Sequence, residues 1–129
     1  MNIEKRNIDS NLTAFSIPQG WLFISNGPHF LYSQYSHAYA AKIQEDHQRK
    51  GYYKALIKEA LRHVQDELGL KGLVFLPKFP SVRNPSFMAS RSETNGKILL
   101  HWSEIYDIDV IDSPDGPIYL VHDLDKKKN

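Results

Sequence analysis

Cysteine does not occur anywhere in the 129 residues. Its absence excludes disulfides, thiolate nucleophiles and the common cysteine-ligated structural zinc sites. It fits a reducing, cytoplasmic setting. No run approaches the length of a membrane span, and the opening MNIEKRNIDS has no apolar segment of the secretory kind. Neither membrane insertion nor export is therefore expected. An excess of charge of one sign is also missing. With 16 Lys and Arg against 15 Asp and Glu, the formal net charge is +1, and no global field points to nucleic acid. Gly-Lys-Ser/Thr, G-x-G-x-x-G and G-x-S-x-G are all absent, which leaves a P-loop, a dinucleotide fold and a serine hydrolase without motif support. Six histidines are present, but none are spaced i, i+4 or as H-x-H, so no metal site is expected.

What is present suits one compact domain, expected over residues 1–125, with 126–129 as a solvated basic tail. Hydrophobic residues make up 41% of the chain, enough for a core. LTAFSI (12–17) and WLFIS (21–25) flank a PQG turn and read as strands, and NGP (26–28) reads as another turn. FLYSQYS and HAYAAKI read as one bent strand or two, ending near Gln44. From Tyr52 to Leu68, apolar residues recur at Tyr53, Leu56, Ile57, Ala60, Leu61, Val64 and Leu68. That spacing makes one stripe of a helix, and Gly69 stands where a left-handed C-terminal cap belongs. GLVFLP (72–77) then reads as a strand buried on both faces, so strand, helix and strand form a βαβ crossover. KILLHW (97–102) is expected as a further strand. EIYDIDVI and PIYLVHDL around DSPDG are expected as a terminal hairpin. The expected class is α+β (α/β), with a mixed, mostly antiparallel central sheet and few helices.

The chemistry concentrates in HQRKGYYKAL, His47 to Leu56. A helix that starts here presents up to four backbone N–H groups without intrahelical partners and the positive end of its dipole. An anion satisfies both, Gly51 allows close approach, and Arg49 and Lys50 add charge. The same residues also make an ordinary basic surface turn.

QRKGYYKALIKEALRHVQDELGLKGLVF resembles the central motif of the GNAT family of acyl-coenzyme A-dependent N-acyltransferases, Q/R-x-x-G-x-G/A before a helix and a strand. Gln48, Arg49, Lys50, Gly51 and Tyr52 fit it, and Tyr53 stands where Gly or Ala is usual. NPSFMASRSETNGKILLHW (84–102) is similar to the family's later segment, with Asn84 and Gly96 at matching positions. The first 37 residues are shorter than the family norm and leave little room for two early helices. The resemblance implies a βαβ unit that binds acetyl-coenzyme A or another acyl-coenzyme A. Backbone amides of Arg49 through Tyr53 would cradle the pyrophosphate, and the strand through Ile43 and Gln44 would carry the pantetheine arm. Gln48 and Asn84 complete the implied cofactor set. It also implies direct acyl transfer to an amine-bearing small molecule or protein. Glu45, Asp46 and His47 are candidate bases, Glu45 first. No tyrosine lies between Tyr53 and Tyr106 to protonate the thiolate, so that role is vacant or is filled by Ser90 or Ser92.

Other readings stay open. A non-catalytic interaction or immunity-type module could keep the same fold. Lys50, Lys54, Lys58 and Arg62 line one helix side and could meet nucleic-acid phosphates, though a solvated face is the simpler account. The acidic run Asp107, Asp109, Asp112 and Asp115 is most simply a solvated face, with a rim for a cationic amine as the sharper alternative. Exposed strand edges make a homodimer an expectation too.

Overall fold

The computed structural model describes residues 2–43, 50–77 and 97–128. It is a mixed α+β fold, mostly antiparallel, with two helices among the described residues. The chain forms two compact units, Met1–Val74 and Phe75–Asn129.

The first unit is a meander followed by a crossover. β1 (Glu4–Asp9), β2 (Leu12–Ile17), β3 (Gly20–Pro28) and β4 (Tyr35–Ile43) pair antiparallel in chain order. Two-residue turns join the first three. At the first, the Asn11 N–H donates to the Asp9 carboxylate at 2.7 Å, a local bond that competes with further strand. At the second, Ile17 pairs with Gly20, which is the expected PQG turn. No helix precedes β4 among the described residues.

α1 (Tyr52–Asp66) packs on β2, β3 and β4. Its stripe is as the spacing predicts: Leu56, Ile57, Ala60, Leu61 and Val64 are buried. Strand alternation supplies the opposing layer. Phe15 pairs with Leu22, Thr13 with Ile24 and Leu22 with Ala41, all of them buried, so they share the helix-facing side. Each Leu, Ile or Phe fully buried there contributes about 1.5–3 kcal/mol. The helix ends on Gly69, left-handed at φ +67, with the Leu70 N–H reaching back to the Val64 carbonyl at 2.9 Å. β5 (Gly72–Phe75), buried throughout, then runs parallel to β4 through Tyr35–Gly72, Ser36–Leu73 and His37–Val74.

In the second unit, β6 (Tyr106–Ile111) and β7 (Ile118–Lys127) form the expected antiparallel hairpin. Ile108, Ile118 and Val121 face its core, while Asp107 and Asp109 are exposed. The loop closes on Gly116 at φ +124, whose carbonyl accepts from the Ser113 hydroxyl at 2.6 Å.

Five expectations need correction. Residues 97–103 are helical (α2), not a strand. Leu99 and Ser103 are buried at i and i+4, and the Ser103 hydroxyl bonds the Leu100 carbonyl at 2.6 Å. A short unbroken apolar run such as ILL cannot by itself separate a buried strand from a helix. NGP lies inside β3 rather than in a turn. The turn falls at 29–34 instead, within the stretch read as strand. There, the imidazole Nδ1 of His29 accepts the N–H groups of Leu31 and Tyr32 at 3.1 and 3.3 Å. Residues 126 and 127 continue β7 instead of beginning a tail. Finally, β1 was not anticipated. All six of its residues are exposed, and without an apolar face the sequence carries no strand pattern.

Candidate functional site

α1 opens on a glycine with a left-handed backbone. Gly51 is the N-cap residue at φ +83 and ψ 2, a left-handed backbone that side chains with a Cβ rarely adopt. Its carbonyl takes the first helical bond, from the Ala55 N–H at 3.0 Å. Among the described residues no side-chain cap bond is found at this end, and its first turn holds no acidic residue. The positive end of the dipole is therefore not offset by a carboxylate of the helix itself. A Cβ built on Gly51 would meet nothing within 4 Å, so the space above the backbone is open. Lys50 beside it is exposed.

Tyr52 is half-buried, whereas Tyr53 belongs to the core face. Burial pushes the Tyr53 phenol well above its usual range. Tyr53 thus shares the buried face of α1 with Leu56 and Ile57, one helical turn on. Ile43 is the last residue of β4 and pairs with Gly20. Gln44, Glu45, Asp46, His47, Gln48, Arg49, Asn84, Ser90 and Ser92 lie outside the described residues.

Two irregularities fall together on β4. Its pairing with β5 runs from Tyr35 to His37, and no β5 pairing of Ala38–Ile43 is found among the described residues. Just beyond, the register with β3 shifts: Ile24 opposes Ala38 and Phe23 opposes Ala40. Tyr39 is the extra residue of a bulge. A bulge leaves ladder groups unpaired and re-aims the strand, which is why bulges gather next to active sites.

Rings cluster on the sheet face opposite α1. His37 and Tyr39 are 4.1 Å apart between centroids, and His29 stands edge-on to His37 at 5.2 Å. Phe30 stacks on His29 at 4.7 Å, and Tyr32 lies 5.5 Å from it. Phe30 is 85% exposed and Tyr39 51%. The cluster was not anticipated as a site. Its signal in the sequence is an absence: from Ser10 to Ala41 there is no Asp, Glu, Lys or Arg, although these make up 24% of the chain.

Burial, and secondarily the charge of His29, push His37 down to about 4; burial also lowers His29. Both imidazoles are therefore neutral at pH 7. The folded His37 pKa is below the unfolded value near 6.5, so between those values the unfolded chain binds a proton that the native one refuses. Stability is complete above pH 6.5 and is lost as pH falls towards 4. Allowing for partial exposure, about 1–2 kcal/mol should disappear between pH 7.5 and pH 5. His37→Gln should flatten that slope in urea titrations at the two pH values; equal losses in both proteins would remove His37 as its cause.

At the other end of α1, Glu67 accepts from Lys5 Nζ at 3.1 and 3.2 Å and bonds the His63 imidazole. The His63 and Lys5 bonds hold the carboxyl down at about 2. His63 itself is buried edge-on to Phe15, with 5.5 Å between centroids. This group fastens β1 to the helix, with Lys5 and Glu67 exposed and His63 buried beneath them. On the helix surface, Arg62 pairs with Glu59 at 2.5 Å, so one cation of the basic stripe is already matched. Among the described residues, no three His, Asp or Glu side chains gather as metal ligands would. None of the helices there is long and apolar enough to cross a membrane.

Comparison with protein-family models, curated proteins and solved structures finds no match.

Proposed function

We propose that this chain is a GNAT-like N-acyltransferase that binds acetyl-coenzyme A or another acyl-coenzyme A and transfers the acyl group to an amine. The observation that carries the reading is the β4–α1–β5 crossover. β4 leaves β5 after His37, and the connection from β4 ends at a helix opened by a left-handed Gly51. Beyond His37 no β5 partner of β4 is found among the described residues, and such a strand edge can hydrogen-bond an amide-bearing arm as another strand would. A helix N-terminus with an open glycine suits the diphosphate at the end of that arm.

The chemistry fits the same frame. The amine lone pair attacks the thioester carbon, the C–S bond breaks, the amine proton leaves to a base and the thiolate takes up a proton. The carbonyl oxygen gains charge on the way and needs a fixed donor. The bulge at Tyr39 redirects backbone N–H groups of β4 where the arm would end. His37 is a poor proton acceptor for an amine near pKa 10, because its own pKa lies near 4. The base and acid roles stay with Glu45, His47 and Ser90, as the family resemblance implies.

Acetyl-coenzyme A at about 100 times its Kd should stabilise the protein by about 2.7 kcal/mol, or roughly 8–10 °C in Tm. No shift at millimolar ligand would sink the reading. Binding without thiol release across an amine panel would leave a non-catalytic coenzyme A-binding module.

A further inference from the structure

We propose that the ring cluster on the sheet face opposite α1 (His29, Phe30, Tyr32, His37 and Tyr39) is the acceptor site, and that it takes a monocationic amine with an aromatic or apolar body. The inference deepens the acyltransferase reading and rests on it. Three observations point the same way.

The first is continuity. The centroid distances of 4.1, 5.2, 4.7 and 5.5 Å join the five rings into one surface. That surface ends at Tyr39, the bulged residue of the β4 edge, so an amine seated on the rings lies beside the edge proposed for the acyl arm. The second is charge. No formally charged side chain occurs from Ser10 to Ala41, and the nearest along β4 is Lys42, paired across from Trp21. Residues 10–41, which carry all five rings, offer a polyamine no carboxylate and a polyanion no cation.

The third is the state of the imidazoles. Neutral rings do not repel an ammonium group, and aromatic faces attract one. The His29 acceptor nitrogen is taken by the Leu31 and Tyr32 N–H groups. Its other nitrogen therefore carries the proton and donates. His37 in its neutral form offers one acceptor nitrogen to an amine N–H. Phe30 and Leu31, 85% and 70% exposed, supply the apolar wall for the body of the ligand.

The test uses the full chain with 2-phenylethylamine and, for comparison, spermidine. Without any acyl donor, 2-phenylethylamine should shift the NMR signals of His29, His37 and Tyr39, and spermidine should not. Phe30→Ser, at an exposed tip, should weaken that binding about tenfold and leave coenzyme A affinity unchanged. In thiol-release assays it should raise KM for the aromatic amine by the same factor. Shifts that are absent or equal for spermidine, or an affinity unmoved by Phe30→Ser, overturn the proposal. The two readings fail separately. Amine binding to the rings without coenzyme A binding keeps this surface and removes the acyltransferase. Thiol release on spermidine, indifferent to Phe30→Ser, does the reverse.

Discussion

Gly51→Glu is expected to lower acetyl-coenzyme A affinity at least a hundredfold while the chain stays folded. The substitution has two separable effects. At φ +83 any side chain strains the backbone, at a cost of about 1–2 kcal/mol, but nothing lies within 4 Å of the new Cβ to clash with it. A carboxylate at a helix N-terminus even recovers part of that strain through the dipole. Binding has no such compensation. A negative side chain would stand where the diphosphate is proposed to sit, and two like charges about 4 Å apart near a surface repel by several kcal/mol before screening. Gly51→Asn is the control, since asparagine tolerates the left-handed backbone and carries no charge. It should keep most of the affinity. Calorimetric titration of the three proteins separates the cases: equal affinity in wild type and Gly51→Glu would mean that no phosphate approaches this helix.

The largest loss of stability is expected from Phe15→Ala, about 3–5 kcal/mol in urea unfolding. Phe15 is fully buried on β2, pairs with Leu22 and meets the His63 ring edge-on. Truncation removes the side chain on which α1 rests and leaves a void that the surrounding strands cannot fill. A loss of this size consumes much of the 5–15 kcal/mol by which a domain is usually stable. Trp21 on β3, tilted against Phe23 with 4.6 Å between ring centroids, reports the first unit by fluorescence. A loss below about 1 kcal/mol would mean that the helix does not depend on this contact.

How much of this was legible depends on whether a residue's role is local. α1 was, because burial on one side forces a 3.6-residue period, and both its glycines proved left-handed, Gly51 at φ +83 and Gly69 at φ +67. The hairpin was legible from its two apolar runs on either side of DSPDG, although burial does not alternate along them: Ile118 to Val121 are all buried, and Ile108 alone is buried on β6. β1 was not, since EKRNID buries nothing and owes its place to the β2 ladder and to Lys5 on Glu67. The 29–34 turn was misread because FLYSQYS has the composition of a strand, whereas an imidazole bonding two backbone amides leaves no mark on periodicity. Of the candidate site, Gly51 could be found from sequence. The bulge at Tyr39 and the end of pairing at His37 could not, because register is a property of two strands and neither carries it alone.

The parallel contact between β4 and β5 also bears on the order in which the unit assembles. Ile17 meets Gly20 across two residues, but joining Tyr35 to Gly72 closes a loop that contains all of α1. Loop entropy makes that closure about 2 kcal/mol costlier than the short hairpin turn, and only three residue pairs reward it. The meander can form from near neighbours, while the crossover must wait for the helix. The β4–β5 contact beside the edge proposed to hold the acyl chain is thus expected to form after the meander. A ligand lying along β4 and reaching Gly51 would act as its clasp.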